Sequence, residues 1–185
     1  MTTTNAYSRQ PTKQDYADPT KFKFSIAKLP KVEYFCTQVN LPGISISDNY
    51  TQPTPFRDIP LPGEKLRYEP LSVTFLVDEN LENYKELHDW IIGLGAPQKH
   101  SQFSDFRALS TDRFSGSKPL PEGGMYADAT LTVLNSKNIA VTEIRFQNIF
   151  PTSLGSLSYD VQASDVDYLS TSVDFSYMYY EIVQL

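Results

Sequence analysis

The sequence predicts a mainly β protein: an antiparallel sandwich or barrel that carries one α-helix. Three observations lead there. Short stretches alternate apolar and polar residues with period two, as in "FKFSI", "LSVTFLV", "ADATLTVL" and "STSVDFSYMYY". Only one stretch, Leu81–Ile91, repeats its apolar residues at helical spacing. Prolines and glycines punctuate the chain at turn positions instead of lying inside a helix or strand period.

The bulk numbers set the frame. The chain has 185 residues, 40% of them hydrophobic and 13% aromatic, enough for one sizeable core in a single domain. The net charge of −6 disfavours binding to nucleic acid or to an anionic membrane surface. Cys36 is the sole cysteine, so no intrachain disulfide forms, in keeping with a reducing compartment. "MTTTNAYSRQ" has no apolar run that reads as a signal peptide. No stretch approaches the ~18 apolar residues of a membrane span. The expectation is a soluble chain that folds in the cytoplasm.

Residues 1–20 are polar and read as a flexible N-terminal arm. Residues 21–185 read as one β domain. Phe22, Phe24 and Ile26 alternate with Lys21, Lys23 and Ser25 as a first strand, broken at Leu29-Pro30-Lys31. "VEYFCTQV" reads as a second strand, ending at Leu41-Pro42-Gly43, where Pro fixes φ and Gly tolerates positive φ. Residues 47–66 hold four prolines, Pro53, Pro55, Pro60 and Pro62, which rule out a central strand and indicate an exposed loop or edge hairpin. Leu71, Val73, Phe75 and Val77 then share one strand face.

The helix is expected to start at Asn80 as N-cap and to end at Gly93 and Gly95. Its stripe is Leu81, Tyr84, Leu87, His88 and Ile91. Tyr84, Leu87, Trp90 and Ile91 are expected to hold it to the sheet. Residues 96–124 form a second long insertion, rich in Ser, Gly and Pro. Strands resume at "ADATLTVL", turn at Asn135–Asn138 and return as "AVTEIRFQNIF". "PTSLGSLSYD" reads as a polar connection to one final strand. In that strand Val173, Phe175, Tyr177 and Tyr179 face one side, and Ser172, Asp174 and Ser176 the other.

Signs of catalytic chemistry are sparse. His88 reads as a packed helix residue and His100 as a solvated loop residue. Cys36, beside Tyr34 and Phe35, reads as a small buried hydrophobe. Asp78 and Glu79 lack the spacing of a calcium loop and suit a helix start, where the dipole favours carboxylates. "GEKLRYEP" lacks the glycine spacing and Lys-Ser/Thr pair of a phosphate loop. "DYADPTKFKF" offers two lysines between aromatics, too few for a nucleic-acid surface at this net charge. The expectation is no enzyme activity, no metal and no cofactor.

Three blocks, in order, resemble the tail-tube protein family of contractile-tailed phages. They are "FKFSIAKLPKVEYFCTQVNLPGISI", "LPGEKLRYEPLSVTFLVDENLENYKELHDWI" and "IRFQNIFPTSLGSLSYDVQASDVDYLSTSVDFSYMYY". The second is as similar to the baseplate proteins that initiate the tube. The resemblance implies a virion tail protein, assembled in the host cytoplasm. Six copies would form a ring whose strands join in one inner barrel, and the rings would stack into a tube around passing DNA. It implies as partners further copies of the chain, the sheath protein, baseplate hub or initiator proteins, and tape measure protein and DNA in the lumen without specific binding. No membrane partner is implied.

By the same resemblance Tyr50, Phe56, Arg57, Asp58 and Ile59 are candidates for contact between rings or subunits. Ser172, Asp174 and Ser176 are candidates for the lumen wall. The solvated face of any antiparallel sheet would show the same Ser/Asp alternation. The rival readings are a tube-initiator ring, a virion β-sandwich module that binds a receptor or glycan through tyrosines such as Tyr50 and Tyr126, and the tube protein of type VI secretion.

Overall fold

A computed structural model of the chain describes residues 15–47, 50–95, 125–160 and 168–185. In chain order the elements are β1 (Phe22–Ile26), α1 (Pro30–Phe35), β2 (Cys36–Val39), β3 (Ile44–Ser47), β4 (Tyr50–Gln52), β5 (Ile59–Leu61), β6 (Lys65–Tyr68), β7 (Leu71–Leu76), α2 (Glu82–Gly95), β8 (Ala127–Leu134), β9 (Ala140–Leu154), β10 (Ser170–Ser176) and β11 (Tyr179–Gln184).

The main sheet is antiparallel throughout and runs β1-β8-β9-β10-β7-β2, with β11 also on β9. β9 is the common strand of two layers. Its first half lies between β8 and β11, and its last residues, Phe150 to Leu154, pair with β10. Pro151 lies inside this strand, buried, opposite Phe175. Proline has no N–H for the ladder, and the register shifts there, between Asp174 and Phe175. Gly155 follows directly. Its amide donates to the Ser172 carbonyl at 2.7 Å, and a Cβ there would stand 3.0 Å from that same oxygen.

Period two decides what is buried. Phe24 and Ile26 of β1, Leu71, Val73 and Phe75 of β7, Leu131 of β8, Ile144, Phe146 and Ile149 of β9, and Val173 and Phe175 of β10 form one core. Leu87 and Trp90 of α2 and Val32 of α1 join it. Each such side chain contributes roughly 1.5–3 kcal/mol by leaving water.

Several expectations hold: β1, β7, β8, the Asn135–Asn138 turn and the principal helix lie where the sequence puts them. The structure corrects others. Val32 to Phe35 are helical, so the expected strand shortens to Cys36–Val39 and the chain has two helices among the described residues. The polar connection after Phe150 is β-strand as far as Leu154. The single closing strand is two, β10 and β11, with Tyr177 and Met178 between them.

Asn80 is not the cap of α2. It sits in the preceding turn, and Leu81, at φ 56°, gives its carbonyl to Lys85 N. Gly93 is buried within α2 and does not end it. Stretches 1–14 of the N-terminal arm and 96–124 lie outside the described residues, as does His100.

Candidate assembly surfaces

Of the two expectations for the proline-rich stretch, exposed loop or edge hairpin, the structure shows the hairpin, and its ladders stand apart from the main sheet. β3 pairs with β6, from Ile44↔Tyr68 to Ser47↔Lys65, and β4 pairs with β5, from Tyr50↔Leu61 to Gln52↔Ile59. The two ladders succeed each other along one long hairpin arm. A two-stranded ladder tolerates Pro60 because each strand has an open side.

Thr54 shapes the tip. Its hydroxyl accepts from Arg57 N at 3.2 Å and donates to Arg57 O at 2.5 Å. This turn presents Phe56, 97% exposed, followed by exposed Arg57 and Asp58. Ile44, Ile46, Ile59, Leu61 and Leu66 are also solvent-exposed along the arm. The arm thus gathers exposed apolar side chains on one projection instead of scattering them singly over the surface.

The base of the arm is fixed to the body. Tyr68 meets Tyr177 and Tyr180 edge-on, each pair of ring centroids 5.7 Å apart. The Tyr177 hydroxyl donates to Glu69 O at 2.9 Å and the Tyr180 hydroxyl to Pro42 O at 3.2 Å. Asn40 accepts from Ser72 N at 2.6 Å and donates to Pro70 O at 3.3 Å. Gly43 N donates to the Glu69 carboxylate, and a Cβ at Gly43 would stand 2.9 Å from that oxygen. Burial pushes the Tyr177 phenol up to about 12, aided by Tyr180, Tyr68 and Glu69 nearby. The alternation of aromatics near the C-terminus carried this signal, but the pairing of Tyr177 and Tyr180 with Tyr68 is a contact across the fold that periodicity does not reveal.

The second surface is the outward face of β10 and β7. Ser172, Asp174 and Ser176 point away from the core, beside Ser72 and Thr74. The Asp174 carboxylate accepts from the Ser72 hydroxyl and, at 2.8 Å, from the Ser153 hydroxyl. Thr152 donates to the Asp174 carbonyl at 3.0 Å. The result is a flat, hydroxyl-rich wall with a carboxylate locked into it.

The third surface is made of strand edges. Among the described residues, β1 pairs only with β8, β2 only with β7, and β11 only with β9. Among the described residues the sheet does not close on itself.

Helix α2 turns Asn83, Leu87, Trp90 and Gly93 to the core. Tyr84 and Ile91 are half-buried flanks of this stripe. His88 is not part of it: its side chain is 56% exposed and meets Asp89 at 3.4 Å. Trp90 packs on Phe175 with centroids 6.2 Å apart, and its indole N–H donates to Met125 O at 3.1 Å. Lys31 ties α1 to α2, reaching Glu82 at 2.5 Å and Glu86 at 3.2 Å. Hydrogen bonding to Glu82, then to Glu86, raises the Lys31 pKa.

The described residues hold no group of three or more His, Cys, Asp or Glu arranged to bind a metal, and none of their helices is long and apolar enough to cross a membrane. Cys36 is half-buried, and burial pushes its thiol up to about 11, unlike a nucleophile.

Comparisons with known proteins agree with this geometry. The tail tube terminator protein of Enterobacteria phage T4 is 26% identical over 172 residues, covering 90% of this chain and 88% of that protein. Among solved structures, the anti-feeding prophage cap that terminates the tube covers 100% of both chains at 14% identity and TM-score 0.59. The six-fold symmetrised anti-feeding prophage baseplate contains a chain with TM-score 0.61 at 11% identity, covering 92% of this chain and 97% of that one. At such identities these structures show a shared fold. A family profile described as phage tail tube protein matches residues 2–183, nearly the whole chain, and the protein therefore belongs to the phage tail tube protein family.

Proposed function

We propose that the chain is a non-enzymatic subunit of a homohexameric ring that terminates the tube of a contractile phage tail. The observation that carries this reading is the end-to-end match to the T4 tail tube terminator. The tube-terminating cap, alike over its whole length at 14% identity, shows that the fold occurs in such a cap and does not by itself assign the role. The baseplate chain has a similar TM-score but only 11% identity, so it speaks for the fold and not for tube initiation.

The geometry gives this function a physical form. A sheet whose described residues leave the edges of β1, β2 and β11 unpaired is stable in water when neighbouring copies cover those edges. Ring closure through neighbours supplies that cover, so the inner barrel is shared. The wall of Ser172, Asp174 and Ser176 then suits a lumen that DNA and tape measure protein traverse without being held, because a carboxylate repels phosphate and small hydroxyls offer no grip. The arm, with Tyr50, Phe56, Arg57, Asp58 and Ile59, reaches other copies or the adjoining ring. The sheath is a further partner, baseplate hub or initiator proteins would be partners only if the chain were a tube initiator, no membrane is involved, and assembly takes place in the host cytoplasm before the particle is complete.

Mass photometry and cryo-EM of the purified protein test this. Single six-fold rings that do not elongate are the expected result. Long tubes from this chain alone would assign it instead to the polymerising tube, the second reading. A monomer with no ring at any concentration would overturn both.

A further inference from the structure

The two ends of the sheet path, β1 and β2, flank a groove of about 620 Å³ beside α1. Thr20, Phe22, Tyr34 and Cys36 are among the residues that line it. Lys23 and Glu33 line it too, 3.8 Å apart. Tyr34 on its rim is 84% exposed.

The chain reaches this groove through a tight turn. Lys21 N donates to Asp18 O at 3.1 Å, and the Asp18 carboxylate accepts from Thr20 N at 2.9 Å and from the Thr20 hydroxyl at 2.7 Å. Pro19 holds the second position, which its fixed φ suits. Such a turn reverses the chain just ahead of β1. Tyr16, two residues before it, is 99% exposed.

We infer that Lys13–Ala17 closes over the groove as a strap on its own chain, with Tyr16 against Phe22 and Tyr34, Asp15 beside Lys23 and Lys13 beside Glu33. Lys13 and Gln14 lie outside the described residues. The strap goes beyond the ring reading and does not depend on it. Within a ring it covers the edge of β1 from the same chain and leaves β2 and β11 for neighbouring copies.

Three observations make this segment the occupant. Thr20 already lines the groove, so closure needs no linker and is favoured as an intramolecular step. The charges match: in an extended chain Lys13 and Asp15 share one face and Tyr16 takes the other, as Lys23 and Phe22 do on β1. Among the described residues β1 pairs only with β8, and a bare edge invites pairing with foreign chains unless something covers it.

Cys36 allows a direct test, because it is the chain's sole cysteine and lines the groove. Gln14→Cys adds a thiol to the strap at a position with no assigned contact. The dilute variant is treated with a short bis-maleimide in mildly alkaline buffer, which offsets the raised Cys36 pKa. The expected result is an intrachain 14–36 link, seen by peptide mass spectrometry at unshifted gel mobility. Thr4→Cys in its place should link roughly tenfold less, because position 4 gains nothing from the strap's contacts. Adding Tyr16→Ala to Gln14→Cys should lower the yield roughly fivefold by removing the apolar anchor. Asp15→Lys should lower it too, and Lys23→Asp alongside should restore it.

Equal yields from positions 4 and 14, no effect of Tyr16→Ala, or links only between chains would overturn the strap. Amide exchange at Phe22–Ile26 is a second measurement that needs no thiol. Deleting residues 1–17 should speed it roughly tenfold, since the freed edge opens more readily. Unchanged exchange would also overturn the strap. Negative-stain images of the same samples read the ring separately. Rings without the intrachain link would remove the strap alone, and the link without rings would remove the ring alone.

Discussion

The side-chain amide of Asn83 donates to the carbonyl of Leu76 at 2.8 Å, joining the first turn of α2 to the end of β7. The same side chain accepts from Asp78 N at 3.2 Å and Tyr84 N at 2.8 Å. Asn83 is fully buried, so this one residue satisfies three backbone groups that no solvent reaches through it. It also holds the strand-to-helix turn in which Leu81 takes a left-handed φ of 56°.

Asn83→Leu keeps the branched shape and the number of side-chain heavy atoms, with bulkier methyl groups, but satisfies none of the three groups. The expected loss is about 2–4 kcal/mol, since a buried unsatisfied group costs ~1–3 kcal/mol and part of this site can relax toward water. Chemical denaturation of wild type and variant measures it. A change below about 0.5 kcal/mol would mean that the turn does not depend on Asn83.

Trp90 links helix, sheet and the returning chain at Met125. At 2% exposure, Trp90→Ala removes a whole buried ring and is expected to cost ~3–5 kcal/mol. Trp90→Phe keeps most of the packing but leaves Met125 O without its donor, so it is expected to cost less, about 1–3 kcal/mol. Thermal melts of the two variants separate packing from hydrogen bonding. An unchanged melting temperature in the alanine variant would contradict the burial of the ring.

Those two residues also show what was legible in the sequence. Strands with one dry and one wet face announced themselves by period two, because burial on one side imposes that pattern. Leu87 fell on the helix stripe for the same reason. Trp90 lay beside the stripe of Leu81, Tyr84, Leu87, His88 and Ile91, and its large apolar ring pointed to the helix–sheet contact; the buried face is Asn83, Leu87, Trp90 and Gly93. Asn83 gave no such signal, because a buried amide looks like a surface residue until its backbone partners are known. The short helix α1 was hidden by Val32, Tyr34 and Phe35, which favour strands locally, although Pro30 at its start was an available signal. The arm was legible as exposed because of its prolines, but its ladders were not, since nothing local specifies which residues pair. The split between β10 and β11 was invisible because the alternation runs straight through Tyr177 and Met178 while the chain changes partner from β7 and the end of β9 to the start of β9.

The clamp at the base of the arm has a pH dependence. The folded pKa of Tyr177 is raised to about 12 from an ordinary 10.0, first by burial. Between these values the unfolded chain has lost the proton and the folded chain still holds it. The unfolded state therefore binds fewer protons, and stability falls as pH rises through this window. The contribution is fully present below pH 10 and gone above pH 12. Tyr177→Phe is expected to be less stable at pH 7, by about 1 kcal/mol for the lost bond to Glu69 O. Its stability is also expected to fall less steeply with alkali. Denaturation midpoints of both proteins across pH 8–11.5 read the difference, and parallel curves would show that the phenol is not held protonated.

The arm separates assembly from folding. Phe56 and Ile59 are exposed at 97% and 38%, so changing both to Ser removes little packing within one copy. Surface changes of this kind typically alter stability by no more than about 0.5 kcal/mol. In an assembled particle the same residues would be covered, and each lost anchor of this size would weaken association by roughly 1.5–3 kcal/mol. Two anchors in each of several equivalent contacts compound, so a small effect per subunit becomes a failure of the whole assembly. The Phe56→Ser/Ile59→Ser protein is therefore expected to melt within about 2 °C of wild type, as so small a free-energy change implies, while remaining subassembled. Melting curves and negative-stain images of the same preparation measure both. Normal assemblies from this variant would remove the arm from the contact surface. A collapsed melting temperature would instead show that the arm packs on its own subunit.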